Sequence, residues 1–185
     1  MSWNARERDQ EWPFDSYATD FTLDPGYTAL LVIDIQAGSV VKDPESELGR
    51  THPAIVDYWN RRVRDQVLPN TWRLIESFRR RGLRVVYTRN GAMTPSGDES
   101  TARLRSREVP EPERQYRGAP AYEIAAEVFP NEHELVIDKP ISSSFTASPM
   151  DHVLRNMGIT DLVITGILTD MCVLGTARAG AELGY

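Results

Sequence analysis

The feature that most constrains the fold is a set of four apolar runs, each about the length of one β-strand. They are TALLVIDI (28–35), LRVVYTR (83–89), ELVIDK (134–139) and LVITGI (162–167). Strands of nearly continuous apolar character are buried on both faces, which is typical of parallel strands that alternate with helices. The pattern therefore predicts an α/β fold, a three-layer α/β/α arrangement around a mostly parallel central sheet.

The segments between these runs supply the helices and one long loop. Apolar residues recur at helical spacing from Asn60 to Arg81, and Pro69 is expected to divide this region into two helices. Further helices are predicted over 120–128, over 149–157 and from Cys172 to Leu183. Residues 91–118 are rich in Gly, Pro, Ser and charge, which indicates a surface loop. We expect an N-terminal arm over 1–27 and one domain over 28–185.

Composition excludes several classes of function. The net charge is −6 and no basic block occurs, which argues against nucleic acid as a partner. A single cysteine cannot form an internal disulfide, and the polar first residues do not resemble a signal peptide. No apolar stretch approaches the ~20 residues of a membrane helix. We therefore expect a cytoplasmic protein that contacts neither membrane nor nucleic acid.

Three reactive side chains lie where strands end. Asp34 is near the end of the first run, Lys139 ends the third, and Cys172 closely follows the fourth. Open α/β sheets bind their ligands at the carboxyl ends of the strands. Lys139 is notable because the chain has nineteen arginines and only one other lysine.

Each of these residues also has a structural interpretation. Cys172 near a helix N-terminus favours a thiolate nucleophile, but a free cysteine is often a small buried apolar residue. Asp34 in an apolar run needs a cation or a donor, although it could cap a turn. Lys139 could be a surface lysine whose ammonium reaches water.

Taken together, the three residues predict nucleophilic hydrolysis. Asp34 takes the proton of Cys172, Lys139 keeps Asp34 ionised and stabilises the thiolate, and the sulfur attacks a carbonyl carbon. Main-chain N–H groups around Leu168 and Cys172 hold the oxyanion. Spacing in the sequence does not show that the three residues meet.

Four motifs make the chain similar to a known family: TALLVIDIQ (28–36), GLRVVYTR (82–89), ELVIDKPISSSF (134–145) and the segment 162–185. They resemble the isochorismatase-like cysteine hydrolases, which include nicotinamidases and N-carbamoylsarcosine, ureidoacrylate and biuret hydrolases. The resemblance implies the isochorismatase-like hydrolase fold and a catalytic triad of Asp34, Lys139 and Cys172. It also implies a cis peptide bond between Ile167 and Leu168, a covalent acyl-enzyme, and release of ammonia.

The resemblance also bears on metals and substrate. Nicotinamidases hold a metal with one Asp and two His, whereas RNGAMTPSGDES (89–100) contains no His, so we expect no metal and no cofactor. Asp170 stands where many relatives have Asn, which points to ureido or carbamoyl substrates. Candidate substrate-binding residues are Gln36, placed on the same strand face as Asp34 by a period of two, and Asn90, Phe145 and Leu168.

Other outcomes stay open from the sequence. The alternatives are a vinyl-ether hydrolase of the isochorismatase type and an inactive binding or assembly relative; members with the former activity lack the cysteine. Relatives continue past Gly184-Tyr185 into a further strand and helix, so the fold is expected to lack its last strand and helix. The resemblance implies a homodimer or homotetramer that acts on a small molecule.

Overall fold

A computed structural model describes residues 2–3, 11, 21–100 and 114–185. Most of the arm expected over 1–27, and residues 101–113 of the loop expected over 91–118, lie outside this range. Strands β1 (Ser2–Trp3) and β2 (Phe21–Thr22) form a small antiparallel pair. Within the described residues, no helix has the length and apolar character needed to cross a membrane.

The central sheet has four parallel strands in the order β5-β4-β3-β6. They are β3 (Thr28–Ile33), β4 (Arg84–Asn90), β5 (Leu135–Lys139) and β6 (Asp161–Gly166). All four predicted strands are present, and the parallel arrangement confirms the predicted fold class. Because the strands are parallel, their carboxyl ends lie along one edge of the sheet.

In the part of the chain that the structure describes, the α-helices are α1 (Ala37–Val40), α2 (Glu47–Thr51), α3 (Pro53–Arg62), α4 (Leu68–Arg79), α5 (Met150–Asn156) and α6 (Leu174–Glu182). A π-helical segment, Val63–Val67, joins α3 to α4, and Pro69 is the second residue of α4. The N–H of Leu68 donates to the carbonyl of Val63, the five-residue spacing of a π-helix, so the hydrogen-bond spacing changes next to the proline, which has no N–H to donate. A second π-helical segment, Thr169–Val173, precedes α6.

The helix predicted over 120–128 is wrong. Two 3₁₀ turns, Pro120–Tyr122 and Ala126–Val128, stand there with extended backbone between them. Ala125 N–H donates to the carbonyl of Ile35, and Ala37 N–H donates to the carbonyl of Glu123. These hydrogen bonds to the chain after β3 replace those that a continuous helix would make. A further 3₁₀ turn, Pro25–Tyr27, leads into β3.

Apolar clusters cover both faces of the sheet. Leu30 and Val32 of β3 belong to one cluster, with Val63 and Ile75 from the helical region before β4. The alternate β3 residues belong to a second cluster, which includes side chains of α5 and Cys172. β3 is therefore buried on both sides, which explains why its run is apolar without alternation.

Candidate active site

The predicted catalytic residues meet at the carboxyl edge of the sheet. Ile33, the last residue of β3, is in register with Thr88 of β4 and with Gly166 of β6. Gly166 has φ 137°, and a Cβ there would lie 2.1 Å from the carbonyl oxygen of Ile33. Only glycine fits this close approach, which brings the chain leading to Cys172 against the chain leading to Asp34.

Asp34 and Lys139 form a buried ion pair. Nζ of Lys139 lies 2.7 Å from Oδ2 of Asp34. Asp34 is 5% exposed and Lys139 is fully buried. A carboxylate removed from water needs such a partner, because its desolvation is otherwise very costly. The surface interpretation of Lys139 is therefore excluded.

Lys139 uses three acceptors, which matches the three protons of an ammonium group. Besides Asp34, its Nζ donates to the carbonyl oxygens of Ile141 at 3.1 Å and Ser142 at 2.9 Å. The two carbonyls follow Lys139 closely in the chain, so the loop after β5 folds back over its own lysine. This geometry holds the positive charge at one place beside Asp34.

The loop that carries these carbonyls is tied to the helix that follows Cys172. The N–H of Ser144 donates to Oγ1 of Thr176 at 3.1 Å, and the two hydroxyl oxygens lie 3.0 Å apart. Ser144 and Thr176 are both fully buried. The Lys139 site and the Cys172 helix are thus fixed to each other.

Thr176→Val is expected to lower the free energy of unfolding by about 1–3 kcal/mol, because it leaves the buried N–H of Ser144 without an acceptor. Urea denaturation followed by tryptophan fluorescence measures the change. Thr176→Ser keeps the hydroxyl and serves as the matched control. Equal stability of the Val variant and wild type would contradict a contribution from this hydrogen bond.

Cys172 lies in the π-helical segment before α6 and is 6% exposed. Burial raises the pKa of its thiol to about 11; the negative charge of Asp34 adds to this increase and the charge of Lys139 opposes it. The sequence argument from a helix N-terminus favoured a thiolate, but burial favours the thiol. Cys172 is therefore protonated at rest near neutral pH.

The side chain of Asn90 also lies near the sulfur of Cys172. Its Nδ2 lies 4.0 Å from Sγ of Cys172, and its Oδ1 is buried and has no hydrogen-bond partner among the residues that the structure describes. The main-chain N–H of Asn90 donates to Oε1 of Gln36 at 2.9 Å. Asn90 is thus held beside the predicted nucleophile, where its contact with substrate stays a prediction.

Gln36 takes a different place from the one expected. β3 ends at Ile33 and the chain turns at Asp34, so the argument from a period of two does not reach Gln36. Gln36 is fully buried, and its Nε2 donates to the carbonyl oxygen of Tyr122 at 2.8 Å. Both ends of its amide bind main chain, which gives Gln36 a supporting role for Asn90. A direct contact with substrate stays an untested prediction.

The remaining two candidates are Leu168 and Phe145. Leu168 directly precedes the π-helical segment, is 37% exposed, and follows a cis peptide bond from Ile167. Phe145 packs against the ring of Tyr185, with centroids 5.2 Å apart, and its ring lies close to Gly180 of α6. Their roles in binding substrate stay predictions.

Thr88 is a site residue that the sequence analysis missed. Its hydroxyl donates to Oδ1 of Asp34 at 2.7 Å. Thr88 is fully buried. The available signal was a polar residue two positions before Asn90 in a buried strand, on the same face.

Within the described ranges, no three side chains of His, Cys, Asp or Glu form a group that could hold a metal.

Comparison with known proteins shows the family to which the chain belongs. The isochorismatase domain family matches residues 28–185. The chain belongs to the isochorismatase family. One relative is the ureidoacrylate amidohydrolase RutB of Klebsiella pneumoniae, which is 29% identical to this chain over 181 residues. The match covers 89% of this chain and 71% of that protein.

Solved structures show the same isochorismatase-family fold. N-carbamoylsarcosine amidase from Thermoplasma acidophilum superposes with a TM-score of 0.64 at 25% identity, over 85% of this chain and 78% of that one. A cysteine hydrolase from Pseudomonas syringae gives a TM-score of 0.68 at 23% identity, over 89% and 70% of the two chains. The resemblance predicted from the motifs is confirmed, as is the α/β fold.

Proposed function

We propose that the protein hydrolyses a C–N bond of a small amide, ureido or carbamoyl compound, with Cys172 as the nucleophile. The observation that carries this proposal is the buried Asp34–Lys139 ion pair at the same sheet edge as the chain's single cysteine. A buried carboxylate next to a thiol is the pairing that covalent catalysis by cysteine needs. The family relatives named as an amidohydrolase and an amidase support a C–N bond as the target.

The proposed reaction begins with a thiol, since burial raises the pKa of Cys172 to about 11. Asp34 accepts the thiol proton as Sγ forms a bond to the carbonyl carbon, and the carbonyl becomes an oxyanion. The N–H groups of Leu168 and Cys172 are the proposed donors to that oxyanion. Lys139 balances the charge of Asp34 in the steps in which Asp34 is ionised.

The reaction then proceeds in two stages, collapse of the tetrahedral intermediate to a thioester and hydrolysis of that thioester. The carbonyl reforms, the C–N bond breaks, and the protonated Asp34 returns its proton to the departing nitrogen, which leaves as ammonia or an amine. Water next attacks the thioester while Asp34 takes one of its protons. The C–S bond breaks, the acid product leaves, and the proton on Asp34 returns to the sulfur.

The test is an assay of ammonia release from ureidoacrylate, N-carbamoylsarcosine and biuret, combined with intact mass of enzyme quenched during turnover. We expect release from at least one of the three and an adduct on the protein whose mass equals the acyl fragment. Cys172→Ala should show neither ammonia nor adduct, and circular dichroism confirms that the variant is folded.

The contrary outcomes are distinct. Ammonia release that persists in folded Cys172→Ala would overturn the nucleophile. A folded wild type that shows neither ammonia nor adduct with any of the three compounds would count against the proposed substrate class.

A further inference from the structure

Asp34 leaves β3 in an unusual backbone conformation. Its φ is 52°, in the left-handed region that few residues other than glycine adopt. Its N–H donates to the carbonyl oxygen of Thr88 at 3.2 Å and lies 3.3 Å from the Thr88 hydroxyl oxygen. One residue of the neighbouring strand therefore holds the main chain of Asp34 at this turn.

The same residue also holds the carboxylate. The Thr88 hydroxyl has one proton, which it donates to Oδ1 of Asp34 at 2.7 Å. Oδ2 accepts from Lys139 at 2.7 Å. A carboxylate bound at one oxygen can rotate about its Cβ–Cγ bond, whereas one bound at both oxygens by fixed donors cannot. The two donors therefore fix the orientation of the Asp34 carboxylate.

We propose that Thr88 is a positioning residue for hydrolysis, whose hydroxyl fixes the orientation in which the Asp34 carboxylate receives the Cys172 proton. This inference rests on the proposed function, because it requires Asp34 to act as the base. Proton transfer depends steeply on geometry, and a misplacement of about 1 Å costs on the order of 100-fold in rate. Thr88 acts only through Asp34.

The test compares Thr88→Val, which removes the hydroxyl at constant shape, with Thr88→Ser, which keeps it. Thr71→Val is the matched control: Thr71 is a buried threonine of α4 whose hydroxyl lies 3.2 Å from that of Thr165, on β6. We expect Thr88→Val to lower kcat about 10- to 100-fold with little change in KM. Thr88→Ser and Thr71→Val should keep kcat near that of wild type.

A second readout needs no substrate. The pH dependence of Cys172 alkylation by iodoacetamide reports the pKa of the thiol, which the charge of Asp34 raises. In Thr88→Val the carboxylate is no longer held against the thiol, so the alkylation midpoint should move to lower pH. Thr88→Ser and Thr71→Val should leave the midpoint in place.

The outcomes separate this inference from the proposed function. A wild type that hydrolyses amides while Thr88→Val keeps both its kcat and its alkylation midpoint would overturn the role of Thr88 alone. An inactive wild type would count against the proposed function, and the alkylation midpoints would still decide whether Thr88 positions Asp34. If Thr88→Val and Thr88→Ala fail to fold while Thr88→Ser folds, the hydroxyl serves stability and the proposal is wrong.

Discussion

Asp34→Asn should strongly slow turnover and at the same time make Cys172 easier to alkylate. The asparagine cannot accept the thiol proton, so we expect the hydrolysis rate to fall by about 10²–10⁴-fold, the usual contribution of a general base. The rate at which the Cys172 thiol is alkylated should increase instead. Asp34 raises its pKa by negative charge while Lys139 lowers it, so removal of Asp34 leaves the lowering influence in place.

The measurement is the rate of iodoacetamide labelling between pH 6 and pH 11, followed by intact mass. Because the chain has one cysteine, the label has a single site. In wild type the rate should rise toward the pKa of about 11, and in Asp34→Asn the rise should begin at lower pH. Asp170→Asn is the matched control, since Asp170 is exposed at the same π-helical segment. Slower labelling of Asp34→Asn than of wild type would contradict this electrostatic account.

The sequence placed the three catalytic candidates at one edge of the sheet for a sound reason. Parallel strands end on the same side, so residues that end separate apolar runs converge without any contact being visible in the sequence. Lys139 also follows the simple alternation of a strand. It lies two residues after Ile137, which belongs to the same cluster as Cys172.

Asp34 and Gln36 did not follow that alternation. In a continued strand, Asp34 would share a face with Leu30 and Val32, whose cluster covers the side of the sheet opposite to that of Cys172. Its left-handed backbone turns the carboxylate toward Thr88 instead. Aspartate tolerates the left-handed conformation, but most aspartates do not adopt it. The presence of an aspartate at position 34 therefore does not predict the turn.

The other surprises come from contacts between distant parts of the chain. Thr176 and Ser144 are 32 residues apart, and the hydrogen bond between them leaves no periodic signal. The protonation state of the Cys172 thiol is a second property that the sequence could not predict. A helix N-terminus favours the thiolate and burial favours the thiol, and only the structure gives the extent of burial that decides between them.

Lys139→Met should destabilise the fold by about 3–5 kcal/mol, because it leaves the buried carboxylate of Asp34 without its cation. Methionine is close to lysine in length, so little of the loss comes from packing. Urea denaturation followed by tryptophan fluorescence measures the free energy of unfolding. Lys42→Met is the matched control: it removes the chain's other lysine, a half-buried residue whose Nζ lies 5.6 Å from the ring centroid of Trp59, and we expect it to cost less than Lys139→Met because Lys42 is not in a buried ion pair with Asp34.

The double variant Asp34→Asn/Lys139→Met separates the charge from the shape of the site. Each single substitution leaves one buried charge unpaired, whereas the double substitution leaves none. Replacing both partners of a buried pair by neutral groups is often nearly neutral for stability, so we expect the double variant to be more stable than either single variant. If the two losses simply add, Asp34 and Lys139 do not depend on each other in the folded state. That result would also remove the reason for Asp34 to remain an ionised base beside Cys172, so one stability cycle tests the electrostatic basis of the proposed chemistry without any substrate.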